Sequence, residues 1–376
     1  MRDLQQILER IAELASAGTP CVLATVVEAQ GSVYRGAGTR MLIESLEKST
    51  GVINGGCLEG DVREQAVAVL ADGRPRLVCY DAYPEDDIVL GTGLGCRGLV
   101  RVFFQRLSTD EPAHPLEYLR ASALGHSNAA LATVFACDGM SGVQPGQCVA
   151  VADGLPERDD IGDGDLSAWV HAELDRQQRA ERRSAMTRHC ELGRGRASVL
   201  IETLRPPLHL VVCGGGDDAD PVVRLAHQLG WRISVIDHRP SYARPERFPG
   251  AQQVALASPG QWPDGVEVHA GTAVVIMTHN YLQDEAMLRH LLPRGPMYLG
   301  VLGPRQRTQR LLEAIARDGL ALDADIVLSS PAGLDIGAET PEEIALSIIG
   351  EIQANLLGCD GGFLRLRSGP IHRRSE

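Results

Sequence analysis

One stretch of the sequence, residues 209–237, restricts the fold more than any other. A short apolar run from Leu210 to Cys213 precedes three glycines, a helical pattern of apolar residues follows, and a second apolar run ends at Asp237. This succession predicts a strand, a glycine turn, a helix and a second strand, which together form the first half of a dinucleotide-binding unit. We therefore expect a Rossmann-like, doubly wound α/β domain in the second half of the chain.

The residues of the glycine turn have separate physical roles in such a unit. Gly214 permits the tight turn, Gly216 leaves room for a pyrophosphate beside the backbone, and Ala219 is small enough for close helix packing. The helix N-terminus offers free N–H groups to phosphate. Asp237, which ends the second apolar run, can accept hydrogen bonds from a ribose hydroxyl.

Two acidic residues weaken the match to an ordinary NAD site. Asp217 and Asp218 lie where phosphate would bind, and their charge would repel it. Pro221 lies early in the helix, where a proline is tolerated in the first turn. Two alternatives remain open: the domain binds a nucleotide differently from ordinary NAD proteins, or it keeps the fold and binds no nucleotide.

Composition excludes several classes of protein. The 376 residues are enough for about two or three domains, and the formal net charge of −13 argues against nucleic acid or an anionic membrane as the main partner. No apolar run reaches membrane-spanning length, and residues 1–18 have the pattern of an amphipathic helix rather than of a signal peptide. The nine cysteines form no Cys-x-x-Cys pair, so we expect reduced thiols and a cytoplasmic location.

A glycine-rich loop in the first half of the chain contains a cysteine. Cys57 follows Gly55 and Gly56 and precedes a helical pattern over 58–70, with Glu59 in its first turn. A thiol at a helix N-terminus has a lowered pKa and stays accessible to ligands. The alternative is a small buried residue, which is the usual environment of a free cysteine.

A second glycine loop, residues 91–98, contains Cys96, and the two loops suggest two walls of one site. Arg35, Arg40 and Arg97 can supply positive charge for an anionic ligand, or they are solvated surface residues.

Strand and helix patterns divide the chain into domains. We predict an N-terminal mixed α+β domain over 1–204, with a glycine-loop and cysteine part at 1–106 and a weaker strand-rich part at 107–204. The stiff Arg205-Pro-Pro207 segment leads into a Rossmann-like domain over 205–360 and a basic tail over 361–376. The elements predicted between the glycine loops and this segment are strands at 131–136, 148–152 and 197–204 and a polar helix at 166–188.

Two further candidates follow predicted strands of the second domain. His279 comes directly after the strand at 272–277, and loops at such strand ends face the ligand crevice of an open α/β sheet. It is a candidate ligand contact or proton carrier, or an exposed residue of a helix-capping loop. Arg305 opens a helix and can hold phosphate or lie on the surface.

Six motifs follow one another along the chain: Arg40-Met-Leu-Ile43, Gly55-Gly-Cys-Leu-Glu59, Gly93-Leu-Gly-Cys-Arg-Gly98, the turn at Gly214, Leu302-Gly-Pro-Arg305 and the run from Pro331 to Glu343. Taken in this order, they resemble those of the XdhC/CoxI family of accessory proteins for molybdenum hydroxylases. Many members of that family have Gly-x-Gly-His at the glycine turn, whereas this chain has Asp217 at the histidine position. We therefore assign to this chain no role that depends on that histidine.

The resemblance implies a chaperone of the molybdenum cofactor. Such a protein binds the pterin cofactor, in a form that can include a dinucleotide, and protects it while a cysteine desulfurase supports installation of its terminal sulfur. It then helps to insert the cofactor into an apo molybdenum hydroxylase such as xanthine dehydrogenase. We therefore expect an accessory protein rather than an enzyme, and a homodimer remains an open alternative.

Residue patterns and resemblance together give one set of expected cofactor-binding residues and no catalytic residue. The set is Arg40, Gly55, Gly56, Cys57, Glu59, Cys96, Gly214, Gly216, Ala219, Asp237, His279 and Arg305, with Cys57 also as a metal ligand because molybdenum prefers soft sulfur. Two other hypotheses compete with the chaperone. Gly214, Gly216 and Asp237 alone would fit an NAD(P)-dependent oxidoreductase, and a non-catalytic scaffold that bridges partner proteins would leave both cysteine loops unexplained.

Overall fold

The structure is a computed structural model that describes most of the chain. The described residues are 2–31, 35–56, 58–81, 98–107, 115–125, 127–179, 184–193, 195–258, 260–320, 322–323 and 326–368. The chain passes from one compact unit to a second between Pro206 and Pro207. No helix in these described ranges is both long enough and apolar enough to cross a membrane.

The first half of the first unit is a five-stranded antiparallel sheet with order β3-β2-β1-β5-β4. Its elements are α1 (Arg2–Ser16), β1 (Cys21–Gly31), β2 (Arg40–Ile43), β3 (Ser49–Gly51), α2 (Glu59–Asp72), β4 (Arg76–Asp81) and β5 (Gly98–Leu107). Helix α2 packs on one face of the sheet, because Val62, Ala66 and Val69 share a core with Val22, Ala24 and other strand residues.

The second half of this unit repeats the same arrangement. Its sheet has the order β8-β7-β6-β10-β9, again antiparallel throughout. Its elements are α3 (Leu116–Ala123), β6 (Ala129–Asp138), β7 (Cys148–Ala152), β8 (Arg158–Asp159), α4 (Gly164–Gln178), β9 (Ser184–Leu192) and β10 (Gly195–Leu204). In the parts of the chain that the structure describes, each half therefore has a helix, three strands, a helix and two strands in the same spatial order.

The repetition extends to the strand register. The pairing of β1 with β5 shifts at Val27, and the pairing of β6 with β10 shifts at Phe135, which is the seventh residue of its strand as Val27 is of β1. A bulge of this kind bends and twists its strand locally. The two bulged residues meet in one small core with Phe103 and Leu200, so the two halves pack against each other at equivalent positions.

The second unit is a six-stranded parallel sheet with order β13-β12-β11-β14-β15-β16. Its elements are β11 (His209–Cys213), α5 (Ala219–Gln228), β12 (Arg232–Asp237), β13 (Gln253–Leu256), β14 (Thr272–Ile276), α6 (Tyr281–Leu291), β15 (Tyr298–Val301), α7 (Arg305–Arg317), β16 (Val327–Ser329) and α8 (Pro341–Leu357). Numbered within the unit, the strand order is 3-2-1-4-5-6, which is the order of a dinucleotide-binding sheet.

Helices cover both faces of this sheet. Leu210 and Val212 of β11 pack with helices α5 and α8, whereas Val211 and Cys213 of the same strand pack with α6 and α7. Such burial on both sides explains why β11 is an unbroken apolar run rather than an alternating one. The predicted fold class, a mixed α+β region followed by a Rossmann-like doubly wound domain, is confirmed.

One predicted element of the first unit is wrong. The sequence predicted a polar helix over 166–188, but α4 ends at Gln178 and the last part of that range belongs to strand β9. Strand β9 pairs with β10 from Ser184 to Leu192, so sheet pairing decides the structure there and local polarity does not. Strands β13 and β16 were not predicted, because each has only three or four residues.

Candidate functional site

The predicted residues of the second unit gather at the carboxyl ends of its parallel strands. Gly214 follows β11, Asp237 ends β12, His279 follows β14 and Arg305 begins the helix after β15. Ligands of open α/β sheets bind at this edge, where the strand order reverses. In this sheet the reversal lies between β11 and β14.

Gly214 is required by the protein's own packing. Its φ of 117° lies in the left-handed region that favours glycine, and its N–H donates to the Ile236 carbonyl at 2.8 Å. A Cβ at this position would lie 2.5 Å from the carbonyl oxygen of Met277, in the loop after β14. The glycine therefore lets the loops that follow β11 and β14 approach each other closely.

Gly216, unlike Gly214, has no neighbouring backbone that a Cβ would meet. A Cβ there would meet only a side-chain carboxylate within the same turn, with Oδ1 of Asp218 at 2.5 Å, and no backbone atom. The constraint at Gly216 thus comes from the end of a flexible side chain and not from the backbone. Ala219, at the third fingerprint position, is fully buried as the first residue of α5, so its small size serves helix packing as expected.

Asp237 is buried and already occupied by groups of its own unit. Its carboxylate accepts the Gly215 N–H at 2.7 Å and two guanidinium N–H groups of Arg239 at 2.7 and 2.9 Å. Burial alone would raise the pKa of Asp237, but these hydrogen bonds outweigh it and hold the pKa below its usual value. A ribose hydroxyl would have to share the carboxylate with these donors.

Two arginines that the sequence analysis did not single out lie beside the turn. The guanidinium groups of Arg239 and Arg247 lie 3.8 and 4.9 Å from the ring centre of Tyr242. Arg247 also contacts Asp217, with 2.8 Å between Nη2 and Oδ1. Their only sequence signal is the position of Arg239 two residues after the acid that ends β12, where an arginine can meet a ligand phosphate.

The expected repulsion of phosphate by the two acids is therefore reduced. Asp217 is paired with Arg247, and Oδ2 of Asp218 lies 2.6 Å from Nε2 of His279. The ring of His279 is largely exposed, and its second nitrogen, Nδ1, is left for another contact. Each acid of the turn thus has a basic partner, which the sequence could not reveal.

A buried network supports the loop that carries His279. Asp284 of α6 is buried, binds the hydroxyl of Thr278 and pairs with Arg307 of α7 at 2.5 Å. The guanidinium of Arg307 is therefore held in this ion pair. Arg305, the predicted phosphate ligand, is instead exposed at the first position of α7.

Hydrogen bonds to Glu351 of α8 also hold the long loop that precedes this helix. Glu351 accepts hydrogen bonds from the Tyr298 hydroxyl, the Ser329 hydroxyl and the Gly333 N–H at 2.5 to 2.9 Å. Thr340 caps α8 in the predicted capping box with Glu343. The loop over 331–340 thus has a fixed position at the carboxyl edge of the sheet.

In the first unit, Glu59 organises the Gly55-Gly56 loop. Its carboxylate accepts the backbone N–H groups of Ile53, Asn54, Gly56 and Leu58 at 2.8 to 3.2 Å. Burial alone would raise the pKa of Glu59, but the backbone hydrogen bonds hold it below its usual value. The carboxylate therefore fixes the chain on both sides of position 57.

The two predicted cysteines lie outside the described residues, as does Arg97. Gly55 and Gly56, which precede Cys57, have φ values of 74° and 119°, a conformation that glycine adopts without strain. The described part of the chain contains no group of three or more His, Cys, Asp or Glu side chains that could hold a metal ion. The prediction of Cys57 as a metal ligand stays a prediction.

Arg40, the predicted source of positive charge, is paired inside the first unit. Its guanidinium meets Glu202 of β10 at 2.5 and 2.9 Å, and both side chains are buried. Arg35 likewise pairs with Asp3 at 2.6 Å. Neither arginine therefore presents an uncompensated charge.

Comparisons with known proteins give a consistent picture. The model of the XdhC and CoxI family matches residues 14–81, and the model of the XdhC Rossmann domain matches residues 210–352. The chain is 31% identical over 331 residues to a Bacillus subtilis protein that is named as a probable component of xanthine dehydrogenase. This similarity covers 88% of this chain and 92% of that protein.

Two more distant similarities also span nearly the whole chain. The molybdenum cofactor insertion chaperone PaoD of Escherichia coli is 20% identical over 351 residues, covering 93% of this chain and 88% of that protein. The crystal structure of a protein from Bacillus halodurans, described as a xanthine dehydrogenase, is similar with a TM-score of 0.74 and 27% identity, over 93% of this chain and 96% of that one.

Proposed function

The chain belongs to the XdhC and CoxI family, and we propose that it is a molybdenum cofactor chaperone. In this role it binds the cofactor as cargo, protects it during sulfuration and helps to insert it into a molybdenum hydroxylase of the xanthine dehydrogenase type. The relation to a molybdenum cofactor insertion chaperone supports this proposal over the scaffold hypothesis.

The observation that carries the proposal is the glycine turn at the reversal of the strand order. A Cβ at Gly216 would meet only the Asp218 carboxylate and no backbone atom, while Arg247 pairs with Asp217 and Nε2 of His279 lies 2.6 Å from Asp218. Arg239 and Arg247 stack on one tyrosine beside it. A phosphate of the cargo could then bind N–H groups of the turn that follow Gly215, since those of Gly214 and Gly215 already donate to Ile236 and Asp237.

Each unit, taken by itself, has donor groups whose chemistry fits one part of such a cargo. The turn, the N-terminus of α5 and His279 would hold the phosphate or nucleotide end. Cys57 would offer a thiolate to molybdenum, which prefers sulfur ligands. The protein would then act by holding the cargo and shielding it from water, with no bond of the cargo made or broken by its own side chains.

The proposed partners follow from this role. An apo molybdenum hydroxylase would receive the cargo, and a cysteine desulfurase would meet the loaded protein beforehand. The relatives named as an insertion chaperone and as a component of xanthine dehydrogenase support the first of these partners.

One observation favours the competing function of an NAD(P)-dependent oxidoreductase. The strand order is that of a dinucleotide-binding sheet, and an acid ends its second strand. Arg239 already donates hydrogen bonds to the carboxylate of this acid. A ribose hydroxyl of NAD would have to displace the arginine or share the carboxylate with it.

Purification followed by analysis of bound ligands separates the two functions. We expect molybdopterin and molybdenum to copurify with the full chain from a host that makes the cofactor, and to be transferred to an apo hydroxylase. In Gly216→Val the branched side chain would occupy the ligand space, so retained molybdopterin should be lost while the chain stays folded. The proposal fails if the wild-type chain retains NAD(P) and no molybdopterin, and the ligand does not lie across this turn if a folded Gly216→Val variant retains it fully.

A further inference from the structure

The carboxylate of Asp237, at the end of β12, has every acceptor position filled by its own unit. A carboxylate offers about four lone-pair sites, shared by its two oxygens. Oδ1 accepts the backbone N–H of Arg239 at 2.8 Å and the Nε–H of the same residue at 2.9 Å. Oδ2 accepts the N–H of Gly215 and an Nη2–H of Arg239, both at 2.7 Å. The side chain is also only 1% exposed, so no acceptor is left for a ligand.

The place of this saturated acid gives it a consequence for binding. In a dinucleotide-binding unit, the acid at the end of the second strand accepts a hydroxyl of the ribose. Here the guanidinium of Arg239 covers the acid and lies 3.8 Å from the ring centre of Tyr242. The loop after β12 also comes close to the glycine turn, since a Cβ on Gly215 would lie 3.1 Å from the Tyr242 carbonyl oxygen. A ribose would therefore meet a stacked guanidinium in place of an acceptor.

The arginines beside the turn suit a phosphate instead. Arg239 and Arg247 are 38% and 31% exposed, and within the described part of the chain the Nη1 of each has no hydrogen-bond partner. Arg247 pairs through Nη2 with Asp217, whose side chain is 91% exposed, and such surface pairs contribute little. A phosphate can replace that carboxylate, because a guanidinium binds phosphate through two parallel N–H groups.

These contacts distinguish between two possible ends of a cargo. A phosphomonoester ends in three terminal oxygens and carries a charge of about −1.5 to −2 at pH 7. It needs donors, which the free nitrogens of the two arginines supply. A dinucleotide continues beyond its pyrophosphate into a ribose, which needs the acceptor positions that Arg239 fills.

We propose that Arg239 selects the form of the cargo, so that the second unit binds molybdenum cofactor that ends in a phosphomonoester and rejects the dinucleotide form. This inference rests on the proposed chaperone function and uses residues of the second unit alone. Arg239 is a specificity-determining residue in two ways. It closes Asp237 to a ribose, and it offers its Nη1 to the terminal phosphate.

The first test analyses the cofactor that the wild-type full chain retains from a host that makes both forms. Acid hydrolysis releases CMP or GMP from a dinucleotide form and no nucleoside monophosphate from the phosphomonoester form. We expect at least about tenfold more retained molybdopterin than released CMP and GMP. Release of CMP or GMP in an amount equal to the molybdopterin would overturn the proposal and leave the chaperone function intact.

The second test reverses the selection and measures binding of NAD+, a probe that carries a ribose beyond its pyrophosphate. Arg239→Ala frees one acceptor position on each oxygen of Asp237, so it should bind NAD+ at least about tenfold more tightly than the wild type. Its retention of molybdopterin should fall. Arg244→Ala is the matched control, because Arg244 belongs to the same loop, is exposed and pairs with Glu246. The affinity of this control for NAD+ should stay within about twofold of the wild type.

Two results of the binding measurements would overturn the proposal. One is equal affinity for NAD+ in the wild type and in an Arg239→Ala chain that thermal unfolding shows to be folded. The other is binding of NADP+ to the wild type at least about tenfold more tightly than NAD+, because the arginines would then take a phosphate carried by a ribose. The analysis of retained cofactor needs only the wild type, so it decides the proposal even where Arg239→Ala does not fold.

Failure of the chaperone function gives a different result. A wild-type chain that retains no molybdopterin in either form overturns that function, and the form of the cargo with it. A gain of NAD+ affinity in Arg239→Ala would still show, in that case, that Arg239 closes Asp237 to a ribose.

Discussion

Nε2 of His279 lies 2.6 Å from Oδ2 of Asp218, and the pair spans the point where the strand order of the Rossmann sheet reverses. The two residues belong to the loops after β11 and β14, which also meet at Gly214. His279 holds this position with a φ of 56°, which a non-glycine residue rarely adopts. This backbone conformation costs local stability, and it places the imidazole beside Asp218.

We expect His279→Gly to keep or slightly raise the melting temperature and to weaken binding of the cargo. An exposed contact between these two side chains contributes about 0–1 kcal/mol, and release of the left-handed strain returns about 1–2 kcal/mol. Loss of one charged hydrogen bond to the cargo would cost about 1.5–3 kcal/mol of binding. Thermal unfolding and molybdopterin retention measure the two effects.

His290→Ala, on the helix that follows, is the control for this variant, because the imidazole of His290 bonds to the Gly260 carbonyl, away from the glycine turn. Its cargo binding should equal that of the wild type. A destabilised His279→Gly chain with unchanged retention would assign His279 a purely structural role.

Replacement of the two glycines of the turn by alanine should lower the free energy of unfolding to different extents. In Gly214→Ala the new Cβ would collide with the Met277 carbonyl at a φ of 117°, so we expect a loss of about 2–4 kcal/mol in the free energy of unfolding. In Gly216→Ala the Cβ meets only the Asp218 side chain, and the loss should stay within about 1 kcal/mol. Urea unfolding with an unchanged m-value gives both numbers, and equal losses would contradict the distinction.

The sequence revealed the Rossmann unit because its signals are local. The apolar run before Gly214, the acid that ends β12 and the capping box of Thr340 each depend on residues a few positions apart. The edge of the sheet where the candidate residues meet then follows from the general rule for parallel sheets.

Contacts between distant residues were not accessible from the sequence. Arg40 and Glu202 are 162 positions apart, and no local pattern indicates that they pair. The duplication of the first unit was also missed, although residues 23–26 of β1 and residues 131–134 of β6 are both Leu-Ala-Thr-Val and directly precede the bulges at Val27 and Phe135. Arg247, which compensates Asp217, comes from a short 3-10 turn that no motif marks.

Glu59 should make the first unit sensitive to acid. The pKa of Glu59 is lowered in the folded state, so its contribution is fully present above the ordinary value of 4.5 and is lost as the pH falls through the folded pKa. Glu59→Gln replaces one acceptor oxygen by a donor that faces backbone N–H groups, which should cost about 2–3 kcal/mol at pH 7.

The measurement is the free energy of unfolding of both chains as a function of pH. The difference between wild type and Glu59→Gln should shrink below about pH 4.5. Glu64 is exposed on the same helix, so Glu64→Gln should change stability by no more than about 0.5 kcal/mol at any pH. A Glu59→Gln deficit that stays constant down to acid pH would rule out the carboxylate as its source.

The last prediction compares two cysteines of the first unit. Cys57 follows two glycines and directly precedes Leu58, the N-cap of α2, which is where a thiolate is stabilised and can bind metal. Cys148 is buried in β7, and burial raises the pKa of its thiol to about 12, so it stays protonated at neutral pH. The two thiols should therefore respond in opposite ways to replacement by serine.

Cys57→Ser should lower bound molybdenum cofactor and the activity of the client hydroxylase without a change in melting temperature, and Cys96→Ser should do the same more weakly. Cys148→Ser places a hydroxyl in a buried strand, which should cost about 1–3 kcal/mol of stability and leave cofactor binding unchanged. Molybdenum content and thermal unfolding, measured on one preparation of each variant, decide the matter. If Cys57→Ser melts earlier and keeps its full cofactor content, Cys57 fills space in the loop and does not bind the metal.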